Sequence, residues 1–311
     1  MGGDSRDATS EGNPMPSAFA PPGSDCPAGP FGSPLPTNRA VTLVKDNVGG
    51  DENEGPLWVA AQKALFIVNS TSYTGGRIYK YTPADNMFTV WKDNTVCGGL
   101  ALDPQGMMVG ACHDRQRLSR FDLTNGTRTD VAGGDMYMGK PFNQTNDLVT
   151  RGDGNIYFTD TDYQKGGRAG QETTAYYRLS PAGQVTRIGA EAQPNGISLS
   201  PDGKILYVAS SANAPLKRHM LADDGSAGPA ITMGNINGDG MGVDCAGNLY
   251  LTANGGIRVL SPDGMTLGML TGASSGFLTN SAFGDDDRKT LYITTSTALY
   301  KIRLNVPGLP N

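Results

Sequence analysis

Four side chains that offer oxygen recur at one phase of this sequence: Glu54, Asn146, Asn195 and Asp239. Asn146, Asn195 and Asp239 each stand eight residues before a turn glycine, at Gly154, Gly203 and Gly247. Glu54 stands eight before Gln62, which takes the turn position in a degenerate copy. None of the four carries sulfur or imidazole. Carboxylate and amide oxygens are the donors a hard cation such as Ca²⁺ selects. Two carboxylates match the charge of a divalent ion, and two amides complete a shell without adding charge. The predicted chemistry is therefore one bound divalent cation, Ca²⁺ first and Zn²⁺, Mn²⁺ or Mg²⁺ as alternatives, acting on a small-molecule substrate. Asn and Asp before Gly are also ordinary turn formers, which would explain Asn195 and Asp239 singly. That reading does not cover Glu54, and the shared phase favours a site.

Something must bring four such distant positions together. The repeating unit is an apolar strand, a turn rich in Asp, Pro and Gly, and a second strand containing Leu-Tyr or Ile-Tyr. Clear copies read GGLALDPQGMMVGA from Gly98, NDLVTRGDGNIYFTD from Asn146 and NGISLSPDGKILYVAS from Asn195. DGMGVDCAGNLYLTA from Asp239 and NSAFGDDDRKTLYITT from Asn280 continue the series, and EGPLWVAAQKALFIVNS from Glu54 is the sixth. The turn glycines Gly106, Gly154, Gly203 and Gly247 are 48, 49 and 44 residues apart, and each interval holds two further strand-like stretches. Four short antiparallel strands at a period in the forties are the mark of a propeller blade. The fold class is all-β, a six-bladed β-propeller over 38–311, with the stretch from Val41 completing the last blade. Rotation about the propeller axis then points the four oxygen residues at one pore mouth. Gly98 brings nothing there, and Asn280 offers a further side chain from the sixth copy.

Composition agrees: 43 Gly and 20 Pro mark many turns, and only 18% of residues are charged. No run approaches the ~18 apolar residues of a membrane-spanning helix, and no basic cluster suggests nucleic acid. Residues 1–37 are rich in Gly, Pro and Ser and read as a low-complexity leader, as in an exported (secreted or periplasmic) protein after signal removal. Cys26, Cys97, Cys112 and Cys245 form no C-x-x-C pair. One disulfide is expected in an oxidising compartment, its pairing left open.

The chain resembles the family of regucalcin (senescence marker protein), bacterial gluconolactonases and squid-type diisopropyl fluorophosphatase. The resemblance rests on Glu54-Gly55-Pro56-Leu57-Trp58, Asn143-Gln144-Thr145-Asn146-Asp147-Leu148, Pro194-Asn195-Gly196, Asp239-Gly240-Met241 and Thr279-Asn280-Ser281-Ala282-Phe283-Gly284. The stretches after Gly154 and from Cys112 look most like the gluconolactonase branch. The resemblance implies a metal-dependent lactonase with Glu54, Asn195 and Asp239 as ligands, Asn146 as ligand or substrate holder, and Asp147 as their support. His113, Asn143 and Asn280 are expected to contact substrate. Gln144 stands where the regucalcin pattern has an Arg that reads a sugar acid, and Gly242 where the fluorophosphatase branch has an Asp serving a second ion. No second ion is therefore expected.

A cation at the pore mouth can polarise a lactone carbonyl and activate water. Asp239, assisted by Asn146, is the expected catalytic group, with Glu54 as the alternative base and hydroxide on the ion, without a separate base, as the competing reading. Two other activities fit the same residues: a phosphotriesterase with an apolar pocket drawn from Tyr73, Tyr137, Met138, Phe142 and Tyr163, and a non-catalytic binding propeller. Trp58 and Trp91 read as blade packing, His219 as an outer-strand residue, and the protein as a monomer.

Overall fold

The computed structural model describes residues 26–49, 52–70 and 74–310. They form six four-stranded antiparallel sheets and one small hairpin, Met136–Tyr137 with Lys140–Pro141. The innermost strands of blades 1 to 6 are Glu52–Val59, Cys97–Leu102, Gln144–Thr150, Pro194–Leu199, Met241–Val243 and Leu278–Gly284. Thr42–Lys45 pairs with Leu299–Arg303 and supplies the outer strand of blade 6, so the two ends of the chain close the ring as the repeat predicts. Among the described residues helix is confined to two single 3₁₀ turns, Ala60–Gln62 and His113–Arg115. Among the described residues no helix is long and apolar enough to cross a membrane.

Each blade is apolar on both faces because each is packed between two others. Successive side chains of a strand point to opposite faces: Leu57 and Val59 pack towards blade 2, and Trp58 towards blade 6. Likewise Ile156 and Phe158 pack against blade 2 while Tyr157 packs against blade 4. The six buried clusters fall one to each blade interface. A buried Leu or Phe contributes about 1.5–3 kcal/mol, so the ring is held by six similar seams. Trp58 stacks on Tyr292 (centroids 6.1 Å apart), and Trp91 meets Phe66 and Phe121 edge-on, the packing roles expected of both.

The leader expected over 1–37 divides. Residues 1–25 lie outside the described residues, whereas the mostly exposed stretch 26–37 is anchored to the propeller through the buried Pro34 and Leu35. Leu35 joins the buried cluster between blades 5 and 6, Asn305 donates to the carbonyls of Ser33 and Leu35, and Cys26 is disulfide-bonded to Cys245. A second disulfide joins Cys97 to Cys112, which face each other across the first two strands of blade 2. The one disulfide expected is two.

Candidate active site

The inner strands do not run regularly to their ends. Their pairing shifts between Glu54 and Leu57, Cys97 and Leu100, Thr145 and Leu148, Pro194 and Ile197, and Leu278 and Ser281. Five blades thus carry an irregularity at one repeat position, and a β-bulge re-aims side chains. The residues beside it are Glu54, Asn146, Asn195 and Asn280, with Asp239 just ahead of the shorter blade 5 strand. Close approach at the axis requires glycine next to them. A Cβ on Gly240 would lie 2.0 Å from Asn280 Cγ, and one on Gly55 (φ +50°) would lie 2.1 Å from the Gly98 carbonyl oxygen. Gly196 has no positive φ and its N–H donates to the Asp239 carbonyl at 3.0 Å, so Asn195-Gly196 is a strand contact, not a turn.

Glu54, Asn146, Asn195 and Asp239 line one cavity of about 270 Å³, together with His113. Asn146 Nδ2 donates to Asn195 Oδ1 at 2.7 Å, and Glu54 Oε2 accepts from Gly55 N (2.9 Å) and Asn280 Nδ2 (3.2 Å). Among the described residues Asp239 Oδ1 is buried without a hydrogen-bond partner. Burial, then the charges of Asp239, Glu52 and Asp147, hold the Glu54 carboxyl well above the usual range. Burial, then Glu52 and Asp147, do the same for Asp239. No Lys or Arg is among the lining residues to offset these charges. A buried carboxylate oxygen with no partner is costly, and two carboxylates with two amides around it are the donor set of a hard divalent cation. Among the described residues no three His, Cys, Asp or Glu side chains form a metal cluster; the set that fits is carboxylates and amides together.

Asp147 lies beneath this ring, as a support should. Its Oδ1 accepts from Leu148 N (2.9 Å) and its Oδ2 from Ile197 N (3.4 Å) and Asn280 Nδ2 (3.5 Å), and burial raises its carboxyl to about 6. Asn280, expected to touch substrate, instead bridges Glu54 and Asp147 and lines the opposite, lower cavity. Asn143 is not brought to the pocket either: it is buried, with its Nδ2 against the Thr173 carbonyl at 3.5 Å. His113 does line the cavity. Its Nδ1 lies 3.2 Å from Gln164 Oε1, its Nε2 has no partner, and burial lowers it to about 4, so the imidazole is neutral near pH 7. His219 is buried between Tyr176 Oη (3.0 Å) and the Gly228 carbonyl (2.8 Å), far along blade 4, a packing role.

Several lining residues carry no repeat signal. Glu52 enters beside Glu54, and the period of two in a strand could have found it. Tyr163 and Gln164 come from the loop after Ile156–Thr161, which is pinned by Arg168 to the His113 carbonyl (2.7 Å) and by Gln193 to Asp162 (2.7 Å). Gln164 Nε2 donates to Glu52 Oε2 at 3.1 Å, and Gln144 Oε1 accepts from Gln164 N. Tyr163 and Phe277, 49% and 59% exposed, flank the mouth. Of the aromatic set that would make an apolar pocket, Phe142 is wholly buried in the seam between blades 2 and 3, and Tyr73 lies outside the described residues. The lining is mainly polar.

Six blades around an axial ring of carboxylates and amides define a six-bladed propeller with a polar cavity at one end. The chain belongs to the SMP-30/Gluconolactonase/LRE-like region family, which it matches over residues 53–297. It is 32% identical to a gluconolactonase of Zymomonas mobilis over 82% of this chain and 79% of that protein. It resembles the structure of a gluconolactonase of Xanthomonas campestris with a TM-score of 0.73 at 27% identity, over 90% of this chain and 99% of that one. The fold is also that of regucalcin, a calcium-binding protein of Agrobacterium tumefaciens (TM-score 0.73, 20% identity, 88% and 97% covered).

Proposed function

We propose that this chain is a metal-dependent lactonase that opens a sugar lactone in the axial cavity. The observation that carries the reading is the convergence of Glu54, Asn146, Asn195 and Asp239 on one cavity with Asp239 Oδ1 left unpartnered. Kinship with gluconolactonases supports the substrate class.

The four residues would hold one divalent cation, Ca²⁺ first by their all-oxygen chemistry. When bound, it supplies Lewis-acid polarisation of the lactone carbonyl and a lowered pKa for water. The remaining roles fall to the chain. Asp239 Oδ1 accepts the proton of the attacking water, which needs a heavy-atom separation of about 2.6–3.2 Å. Asn146 holds the carbonyl oxygen in place while its Nδ2 is tied to Asn195. Neutral His113 presents an unpartnered Nε2 to the substrate's hydroxyl groups in the same cavity, and the proton taken up by Asp239 passes to the ring oxygen as the acyl C–O bond breaks. Asn280 and Asp147 keep Glu54 oriented from below. Tyr163 and Phe277 offer flat faces to the sugar at the mouth. Two disulfides support a location outside the reducing cytoplasm.

The test is hydrolysis of a lactone panel, glucono-1,5-lactone included, by metal-stripped protein with Ca²⁺, Mn²⁺ or Zn²⁺ restored, beside Asp239→Ala. Turnover that returns with metal and is lost on substitution is the expected result. Tight metal binding with no lactone turned over would overturn the lactonase reading and leave a binding propeller.

A further inference from the structure

A second cavity, of about 430 Å³, adjoins the first across the top of blade 5, and the two share Ser211, Asp239 and Phe277. Small-ligand cavities run about 300–1,000 Å³, so the axial cavity alone is small and the joined space is ample. Arg258 lines this annex. It lies on the strand Gly256–Leu260, is half-buried, and faces Leu251 and Met269 across the sheet, neither of which can pair with a guanidinium. Among the described residues no carboxylate, carbonyl or aromatic ring engages it, although Asp239 lines the same cavity. Among the described residues Arg258 is also the one Lys or Arg that lines either cavity. A guanidinium kept half out of water without a partner is a ready site for a planar or tetrahedral anion. Asn237 and Asn254 beside it suit hydroxyl groups.

We infer that Arg258 selects lactones with an anionic substituent (carboxylate, phosphate or sulfonate) remote from the ring carbonyl. The ring occupies the axial cavity and the substituent the annex. The inference rests on the lactonase reading, since it assigns a substrate class to the same site. It also gives the anion a reason to enter a cavity rich in carboxylates: Arg258 offsets the repulsion at the far end.

The experiment compares KM for glucono-1,5-lactone, its 6-phosphate and the corresponding 6-carboxylate in the wild type, Arg258→Met and Arg258→Lys, each in saturating cation. The wild type is expected to show a KM about 10- to 100-fold lower for the acidic lactones, the scale of one charge-assisted contact. Arg258→Met should bring the acidic-to-neutral ratio to about one through KM, with little change in kcat, and Arg258→Lys should restore part of it. Equal KM values for neutral and acidic lactones in the wild type, or equal losses for both in Arg258→Met, would overturn the inference. If no lactone of either kind is hydrolysed, the lactonase reading fails, and calorimetric binding of gluconate 6-phosphate decides Arg258 separately. Binding lost in Arg258→Met keeps the anion site; binding unchanged removes it.

Discussion

The two ends of the axial channel are built by the same six inner strands and have opposite chemistry. One end gathers Glu52, Glu54, Asn146, Asn195 and Asp239 in a cavity of about 270 Å³. The other is lined by Leu57, Leu100, Leu102, Ile197, Met241 and Phe283, with Asp147 and Asn280 also on its wall. The pairing shifts mark the boundary: Glu54 precedes one and Leu57 follows it, and Thr145 and Leu148 bracket another. Before the shift the strand turns polar side chains to the axis. After it, regular alternation resumes and the wall is more apolar, with Asp103, Thr150 and Arg151 also among its lining residues. Where a strand leaves regular pairing therefore decides which end gathers carboxylates and amides.

The contrast is broken most sharply by Glu54→Gln, which keeps the shape of the upper end and removes a charge. It is expected to lower kcat/KM by about 100-fold or more, the scale of a lost electrostatic contact to a transition state. The rise in melting temperature on adding Ca²⁺ should shrink with it. Leu100→Ala at the lower end should cost about 2–5 kcal/mol of stability and leave kcat/KM within about twofold when assayed well below melting. A comparable loss of activity from the Leu100 change would erase the distinction between the ends.

Gly240→Ala tests the boundary itself. The added Cβ would fall 2.0 Å from Asn280 Cγ, and overpacking of this kind costs about 1–3 kcal/mol or more. Differential scanning calorimetry should show a melting temperature lower by several degrees, and Ca²⁺ affinity should fall because Asn280 holds Glu54. Unchanged melting would mean that the inner strands can part.

The smallest expected effect is on pH. Asp160 accepts the N–H groups of Asn143 (3.0 Å) and Gln144 (2.7 Å) at the start of the blade 3 inner strand, and burial pushes its carboxyl up to about 7. The unfolded value is about 3.9, so the native state holds the extra proton between these values. Asp160 therefore favours the fold most below about pH 4, and stability declines as pH rises towards 7. Urea midpoints at pH 5 and pH 8 in saturating Ca²⁺ should fall more in the wild type than in Asp160→Asn. An equal fall in both would remove Asp160 as the cause.

Much of this was legible along the chain. The period in the forties is the blade itself, because each blade needs two partners to cover its faces and so repeats the same strand pattern. Equivalent positions of a rotational repeat meet at the axis, which is why Glu54, Asn146, Asn195 and Asp239 could be grouped across a span of some 180 residues. Asn143 and Asn280 show where that argument stops. Both sit in the right motifs, yet local geometry turns one under a loop and the other towards Asp147, and a period says nothing of such rotations.

The amino-acid sequence alone determined the class of fold, the number of blades, the closing strand and the shared phase of Glu54, Asn146, Asn195 and Asp239, since all follow from periodicity. Tertiary structure decided the rest: the bulges that aim those donors, the two disulfide pairings, the pocket residues Glu52, Gln164 and Phe277, and the exposure of Arg258 to an adjoining cavity. These depend on loops and on contacts between distant residues, which no repeat specifies.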